Sequence, residues 1–131
     1  VIGLGLETNF TIIKNNSFKA FNMSDVAIVA SGTATLECAI TKTPCVVIYK
    51  TSPFNWFVAL LFMKIKFVSI VNILANKMIY KELLQKNCTS KLICENVLSL
   101  LDNNKNNKDL EALTNSLGDG TAYLNAAKHI L

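Results

Sequence analysis

Two apolar, β-branched runs, Val26–Ala30 and Cys45–Tyr49, bracket a stretch just long enough for one short helix and two turns. That spacing constrains the chain more than any other feature. A continuous run such as VAIVA or CVVIY is the pattern of a strand covered on both faces, as in a parallel sheet. Parallel neighbours need a crossover, and Thr33–Thr41 reads as a helix of about nine residues with Leu36, Ala39 and Ile40 facing inward. A right-handed βαβ unit is therefore expected, and with it an α/β fold.

The rest of the chain extends that unit. Phe10–Ile13 is a further strand candidate, and Ser17 is placed to cap a brief helix through Met23. Phe67–Val71 reads as another short strand that ends at Asn72. Glu82–Gln85 reads as part of a short helical piece. Thr89 or Ser90 starts a helix with apolar positions at 92, 93, 97, 98, 100 and 101. The polar connector Asn103–Asn107 then leads to two helices near 108–116 and 121–130, a helical C-terminal tail. With 131 residues and no internal repeat, one domain is expected over 1–131.

Composition narrows the function classes. The net charge of +4 comes from scattered lysines, with no block of like charge and no aromatic-basic stripe of the kind that reads single strands. The excess suits an anionic ligand or lipid headgroups, and nucleic-acid binding is not expected. The four cysteines form no CxxC pair and His129 is the only histidine, so no metal site and no cofactor are expected. Buried free thiols in a reducing cytosol are the reading for the cysteines. Asn-x-Ser/Thr matches at Asn9, Asn15, Asn22 and Asn87 are what chance gives in an asparagine-rich chain. The chain opens on an apolar run without an initiator Met, which is expected of the later part of a longer protein.

Between Lys50 and Lys64 the sequence is uncharged and includes FNWFVALLFM. A spanning helix needs about 20 apolar residues, so this stretch does not cross a bilayer. As a helix, 54–63 is apolar nearly all round. It is expected in the core or at an interface, with contact to a membrane surface as the alternative.

Two sites compete for attention. Gly3-Leu4-Gly5 hints at a dinucleotide fingerprint, but Thr8 stands where its third glycine belongs and an extended stretch follows. The step Ala30–Glu37, ASGTATLE, is better placed, at the carboxyl end of a parallel strand, where open α/β sheets bind ligands. A helix starting near Thr33 offers unpaired N–H groups and a positive dipole end, and Gly32 removes a side chain from their path. Ser31, Thr33 and Thr35 can add hydroxyl donors. Glu37 lies one turn beyond Thr33 on the same face, where a carboxylate can accept from a ribose diol. The bland alternative is a capped helix with turn punctuation and an acid near its positive end.

The blocks SDVAIVASGTATLECAITKTPCVVIYK and VSIVNILANKMIYKELLQ, in that order, resemble the carboxyl-terminal half of lipid-A-disaccharide synthases, from about Asn22 to Leu101 and more loosely to the end. The resemblance implies one Rossmann-like half of a glycosyltransferase-B fold, a parallel sheet with flanking helices. It implies a glycosyltransferase that joins UDP-2,3-diacylglucosamine to 2,3-diacylglucosamine 1-phosphate and releases UDP, working at the inner-membrane surface from the cytoplasmic side. This chain would be the donor-binding half, with the acceptor half and the catalytic residues before Val1, and inactive alone. By the same resemblance Ser31, Gly32, Thr33 and Glu37 would contact diphosphate and ribose. Asn72 would face the sugar-nucleotide cleft, as would Glu82 and Gln85. The family usually has proline where Val71 stands and a basic residue where Lys50 stands. Two alternatives remain beside it: a non-catalytic fragment that self-associates through its apolar surface, and another UDP-sugar enzyme such as an epimerase.

Overall fold

The computed structural model describes residues 11–57, 66–102 and 108–116. Among them the order is α1 (Ser17–Asn22), β1 (Ala27–Ala30), α2 (Ala34–Ile40), β2 (Cys45–Tyr49), α3 (Ile70–Ala75), β3 (Lys81–Leu84), α4 (Ser90–Asp102) and α5 (Lys108–Ser116), with a single 3₁₀ turn at Gln85–Asn87. The three strands form one parallel sheet in the order β1-β2-β3. The protein is α/β, with helices flanking a parallel sheet, the arrangement of a Rossmann-like glycosyltransferase-B half.

Register assigns the sheet faces. Val29 pairs with Val47 and Val47 with Glu82, so these three side chains share a face, together with Ala27 and Cys45 two residues back. That face carries the main core, where Ala27, Val29, Cys45 and Val47 pack with Cys38 and Ala39 of α2, Val71 of α3, and Leu110 and Leu113 of α5. The helix at 108–116 is thus docked into the core by two leucines. On the opposite face Val46 and Leu83 are buried, and α4 packs against β2 and β3. Leu98 and Leu101 of α4 remain about half exposed.

Several expectations are corrected. β1 is an edge strand of the described sheet and its burial alternates: Ile28 is 52% exposed, because no described element covers it. Ile40 is 56% exposed, whereas Ala39 is buried and Leu36 packs partly buried against the core as expected, with Thr35 and Cys38 as the further inward positions of α2. Residues 11–14 form no strand; the rest of that candidate, like the helix near 121–130 and the NNKNN connector, lies outside the described residues. Asn16, not Ser17, caps α1, accepting from the Lys19 N–H at 2.9 Å. Thr89 caps α4, its hydroxyl accepting from the Leu92 N–H.

Two corrections matter for the site. The β-branched run Phe67–Val71 is not a strand. Ser69 adopts an extended conformation, its side chain accepts from the Asn72 N–H, and helix α3 begins at Ile70. Asn72 therefore sits in the first turn of a helix. Conversely, Lys81–Leu84 is a strand, with the 3₁₀ turn following it at Gln85. A local propensity for helix yields here to ladder bonds with β2 and to burial of Leu83. Val71 lies in the first turn of α3, a position that accepts proline readily, so its departure from the family pattern leaves the turn intact.

Of the apolar stretch, residues 53–57 are helical and start from Ser52, whose hydroxyl accepts from the Asn55 N–H. Phe54 and Phe57 are 74% and 63% exposed, so this part of the stretch is not core. No helix among the described residues is long and apolar enough to cross a membrane.

Cys38 and Cys45 are buried in mutual contact, and Cys45 is pushed well above the usual thiol range by its hydrogen bond with Cys38 and by burial. Protonation and burial make Cys45 a poor nucleophile, and Cys38, whose thiol the same hydrogen bond holds below the usual range, is shielded by complete burial. Iodoacetamide in native buffer is therefore expected to modify exposed Cys94 first, and Cys38 and Cys45 only after urea unfolding. Peptide mapping that finds prompt native-state labelling of Cys38 or Cys45 would contradict this packing.

Candidate functional site

The turn after β1 is built around one glycine. Gly32 has φ +148°, a region that L side chains rarely adopt, and a Cβ placed there would meet nothing within 4 Å. The mouth of α2 is open in front of Gly32. The amide of Ser31 stays in the sheet, donating to Ile48 O at 3.1 Å, and the amides of Thr35 and Leu36 return to the carbonyls of Gly32 and Thr33. The N–H groups of Gly32, Thr33 and Ala34 have no protein acceptor among the described residues. Three successive free donors at a helix start are the raw material of an anion site.

The hydroxyls are divided. Ser31 Oγ donates to Val68 O at 2.7 Å, and the fully buried Thr35 donates to Gly32 O at 2.7 Å. Both spend their only proton inside the protein. Thr33 is exposed and makes no side-chain cap bond, so its hydroxyl alone is free to serve a ligand. Glu37 Oε2 accepts a hydrogen bond from Ser17 Oγ, which ties α1 to α2.

Behind the mouth lies a buried polar knot. Glu82 on β3 accepts from the Val68 N–H at 3.0 Å, from the Ser69 N–H at 2.9 Å and from Asn72 Nδ2 at 2.8 Å. Asn72 is fully buried and uses every hydrogen-bonding capacity it has. Its amide also donates to Tyr80 O at 2.8 Å, and its Oδ1 accepts from the Ile79 and Tyr80 N–H groups at 2.8 and 2.9 Å. The same loop that Glu82 holds by its amides is held by Ser31 through the Val68 carbonyl. The structure thus links Ser31, Asn72 and Glu82 through residues 68–69. Asn72 and Glu82 are committed to that network rather than presented to solvent.

Gln85 belongs elsewhere. It sits in the left-handed region at φ +49°, and its Oε1 accepts from the Thr51 N–H at 3.3 Å. Its Nε2 is buried and has no hydrogen-bond partner among the described residues. Gln85 lines a cleft of about 520 Å³ beyond the ends of β2 and β3, with Lys50, Pro53, Trp56, Phe57 and Lys86. Sequence reasoning singled out Gln85 but not this wall. The signal available was the chain's only tryptophan, Trp56, inside an uncharged run next to a lysine. Among the described residues no group of three His, Cys, Asp or Glu side chains gathers as metal ligands would.

The family model described as lipid-A-disaccharide synthetase matches residues 4–129. The chain belongs to that family. Lipid-A-disaccharide synthase of Rickettsia prowazekii (strain Madrid E) is 38% identical over 100 residues, 76% of this chain and 26% of the relative. Lipid-A-disaccharide synthase 1 of Legionella pneumophila (strain Lens) is 38% identical over 107 residues, 82% of this chain and 27% of that one. The synthase of Salmonella newport (strain SL254) is 44% identical over 87 residues, 66% and 23% of the two chains. The chain spans about a quarter of the length of the curated relatives it matches. Family membership sets aside the epimerase alternative.

Removing the Asn72 side chain strands two N–H groups and one Glu82 contact in a buried setting. With each orphaned group costing about 1–3 kcal/mol, Asn72→Ala is expected to lose about 2–5 kcal/mol of stability in urea unfolding. A loss below about 1 kcal/mol would show that the network does not hold the loop.

Proposed function

We propose that this chain is the donor-binding half of a lipid-A-disaccharide synthase and that it holds the UDP group of UDP-2,3-diacylglucosamine at the turn after β1. The observation that carries this reading is the open, glycine-built turn with three free amides at the carboxyl end of a parallel strand, in a chain of this family. The diphosphate would take the N–H groups of Gly32, Thr33 and Ala34 and the Thr33 hydroxyl. A ribose diol would donate to Glu37, whose Oε1 has no partner among the described residues. Ser31, Asn72 and Glu82 would act at one remove, holding the turn and the 68–69 loop in shape. The acceptor, 2,3-diacylglucosamine 1-phosphate, would be presented by a second half across the cleft, at the inner-membrane surface.

Transfer requires acceptor and donor to be held together. The one carboxylate among the described residues of this turn, Glu37, is taken up by the ribose in this reading, which leaves no general base there for an acceptor hydroxyl. The 131-residue chain is therefore expected to bind UDP and to form no disaccharide from the two acylated sugars. Product detected by mass spectrometry with the pure chain would overturn the division of labour. Glu37→Ala removes hydrogen bonds to a charged acceptor worth about 1.5–3 kcal/mol, so calorimetric UDP affinity should fall by about ten- to a hundredfold. An unchanged affinity would remove Glu37 from the site. A folded chain that binds no UDP would instead favour a purely associative fragment, self-assembling through exposed apolar side chains such as Phe54 and Phe57.

A further inference from the structure

We infer that Ser17 is a positioning residue of the donor site, holding the Glu37 carboxylate by one oxygen so that the other is set to accept from a ribose diol. The inference deepens the donor-binding reading and rests on it for the role of Glu37.

Helix α1 brings Ser17 into place. A serine beside a helix start commonly spends its side chain on capping, but here Asn16 takes the cap, accepting from the Lys19 N–H at 2.9 Å. The Ser17 hydroxyl is thereby left over, and it donates to Glu37 Oε2 across twenty positions of chain. Four residues on, along the same face of α1, Phe21 packs partly buried against the core. The Phe21 carbonyl accepts from the Thr43 hydroxyl at 3.0 Å. Thr43 is buried, and its Oγ1 lies 2.8 Å from that of Thr41 at the end of α2. α1 is therefore fastened alongside α2 at two levels, one turn apart. None of its residues is buried, so what this docking chiefly secures is the bond to Glu37.

The gain is conformational. A glutamate side chain is long and flexible, and fixing one as a ligand binds costs free energy that subtracts from affinity. Ser17 fixes the half-buried Glu37 beforehand by Oε2, and Oε1 has no partner among the described residues. Side chains on a helix lean toward its N-terminus, so Glu37 leans from the first turn of α2 toward the free amides at 32–34. The competing account is a bare structural tie between two helices. That account predicts no dependence on the sugar of the ligand.

Two ligands separate these accounts: UDP, and 2′,3′-dideoxy-UDP, which lacks the diol. In calorimetric titration of the 131-residue chain, UDP should bind about ten- to a hundredfold more tightly than the dideoxy analogue. Ser17→Ala should weaken UDP about fivefold, the order expected when one such side chain must be fixed on binding, and should leave the analogue unchanged. Ser17→Thr keeps the hydroxyl and should restore most of the UDP affinity. Equal weakening of both ligands by Ser17→Ala, no weakening of either, or Ser17→Thr as weak as Ser17→Ala would each overturn the inference. Glu37→Ala keeps it apart from the donor reading. If Glu37→Ala abolishes the preference for UDP over the analogue while Ser17→Ala preserves it, the positioning role alone falls. If the unaltered chain does not distinguish the two ligands, or binds neither, the ribose assignment of Glu37 falls and the positioning role falls with it.

Discussion

A single carboxylate, that of Glu82, ties the 68–69 loop and helix α3 to the sheet behind the turn after β1. From β3 it accepts from two consecutive backbone amides, Val68 and Ser69, and from the side-chain amide of Asn72. Hydrogen bonds to an ionised acceptor are the strong ones, and three donors on one half-buried carboxylate satisfy it without a cationic partner. The chain around 68–69 has no strand pairing of its own, so this contact substitutes for one. Because Ser31 donates to the carbonyl of Val68, the position of the loop passes directly to the turn after β1. The mouth of α2 owes its shape to a residue on the far strand of the sheet.

This arrangement explains why so many polar residues gather in a chain that is otherwise apolar. Asn72 could be mistaken for a ligand-reading residue, yet its four polar contacts are all internal, and it behaves as a bracket between α3 and the strand that follows. Ser31 and Thr35 are likewise structural in their hydroxyls. What is left facing outward is small: three amides, the Thr33 hydroxyl and one oxygen of Glu37. A site made mainly of backbone donors would hold phosphate oxygens by geometry rather than by side-chain charge, the role proposed for this turn.

Much of this was legible in the sequence, and the failures have definite causes. The βαβ unit was readable because VAIVA and CVVIY have only one stable partner arrangement at their spacing, and Gly32 was readable because a turn there needs its backbone freedom. Phe67–Val71 misled because five mostly β-branched and aromatic residues mimic a strand, while the deciding signal, Ser69 as a helix cap, is one residue long. Glu82–Gln85 misled in the opposite direction, since Glu, Leu and Gln favour helix and only the long-range ladder with β2 overrides them. The cleft beside Gln85 could not be read at all, because it joins residues more than thirty positions apart that no local pattern connects.

The claim at the centre of the account is that the turn after β1 receives an anion through its free amides and feels the loop behind it through Ser31. Amide chemical-shift mapping of the isotopically labelled chain during titration with UDP tests both parts at once. The account predicts saturable shifts of Gly32, Thr33 and Ala34 with smaller, concerted shifts of Val68 and Ser69. Amides at 32–34 that stay still while UDP binds elsewhere, or does not bind at all, would contradict it.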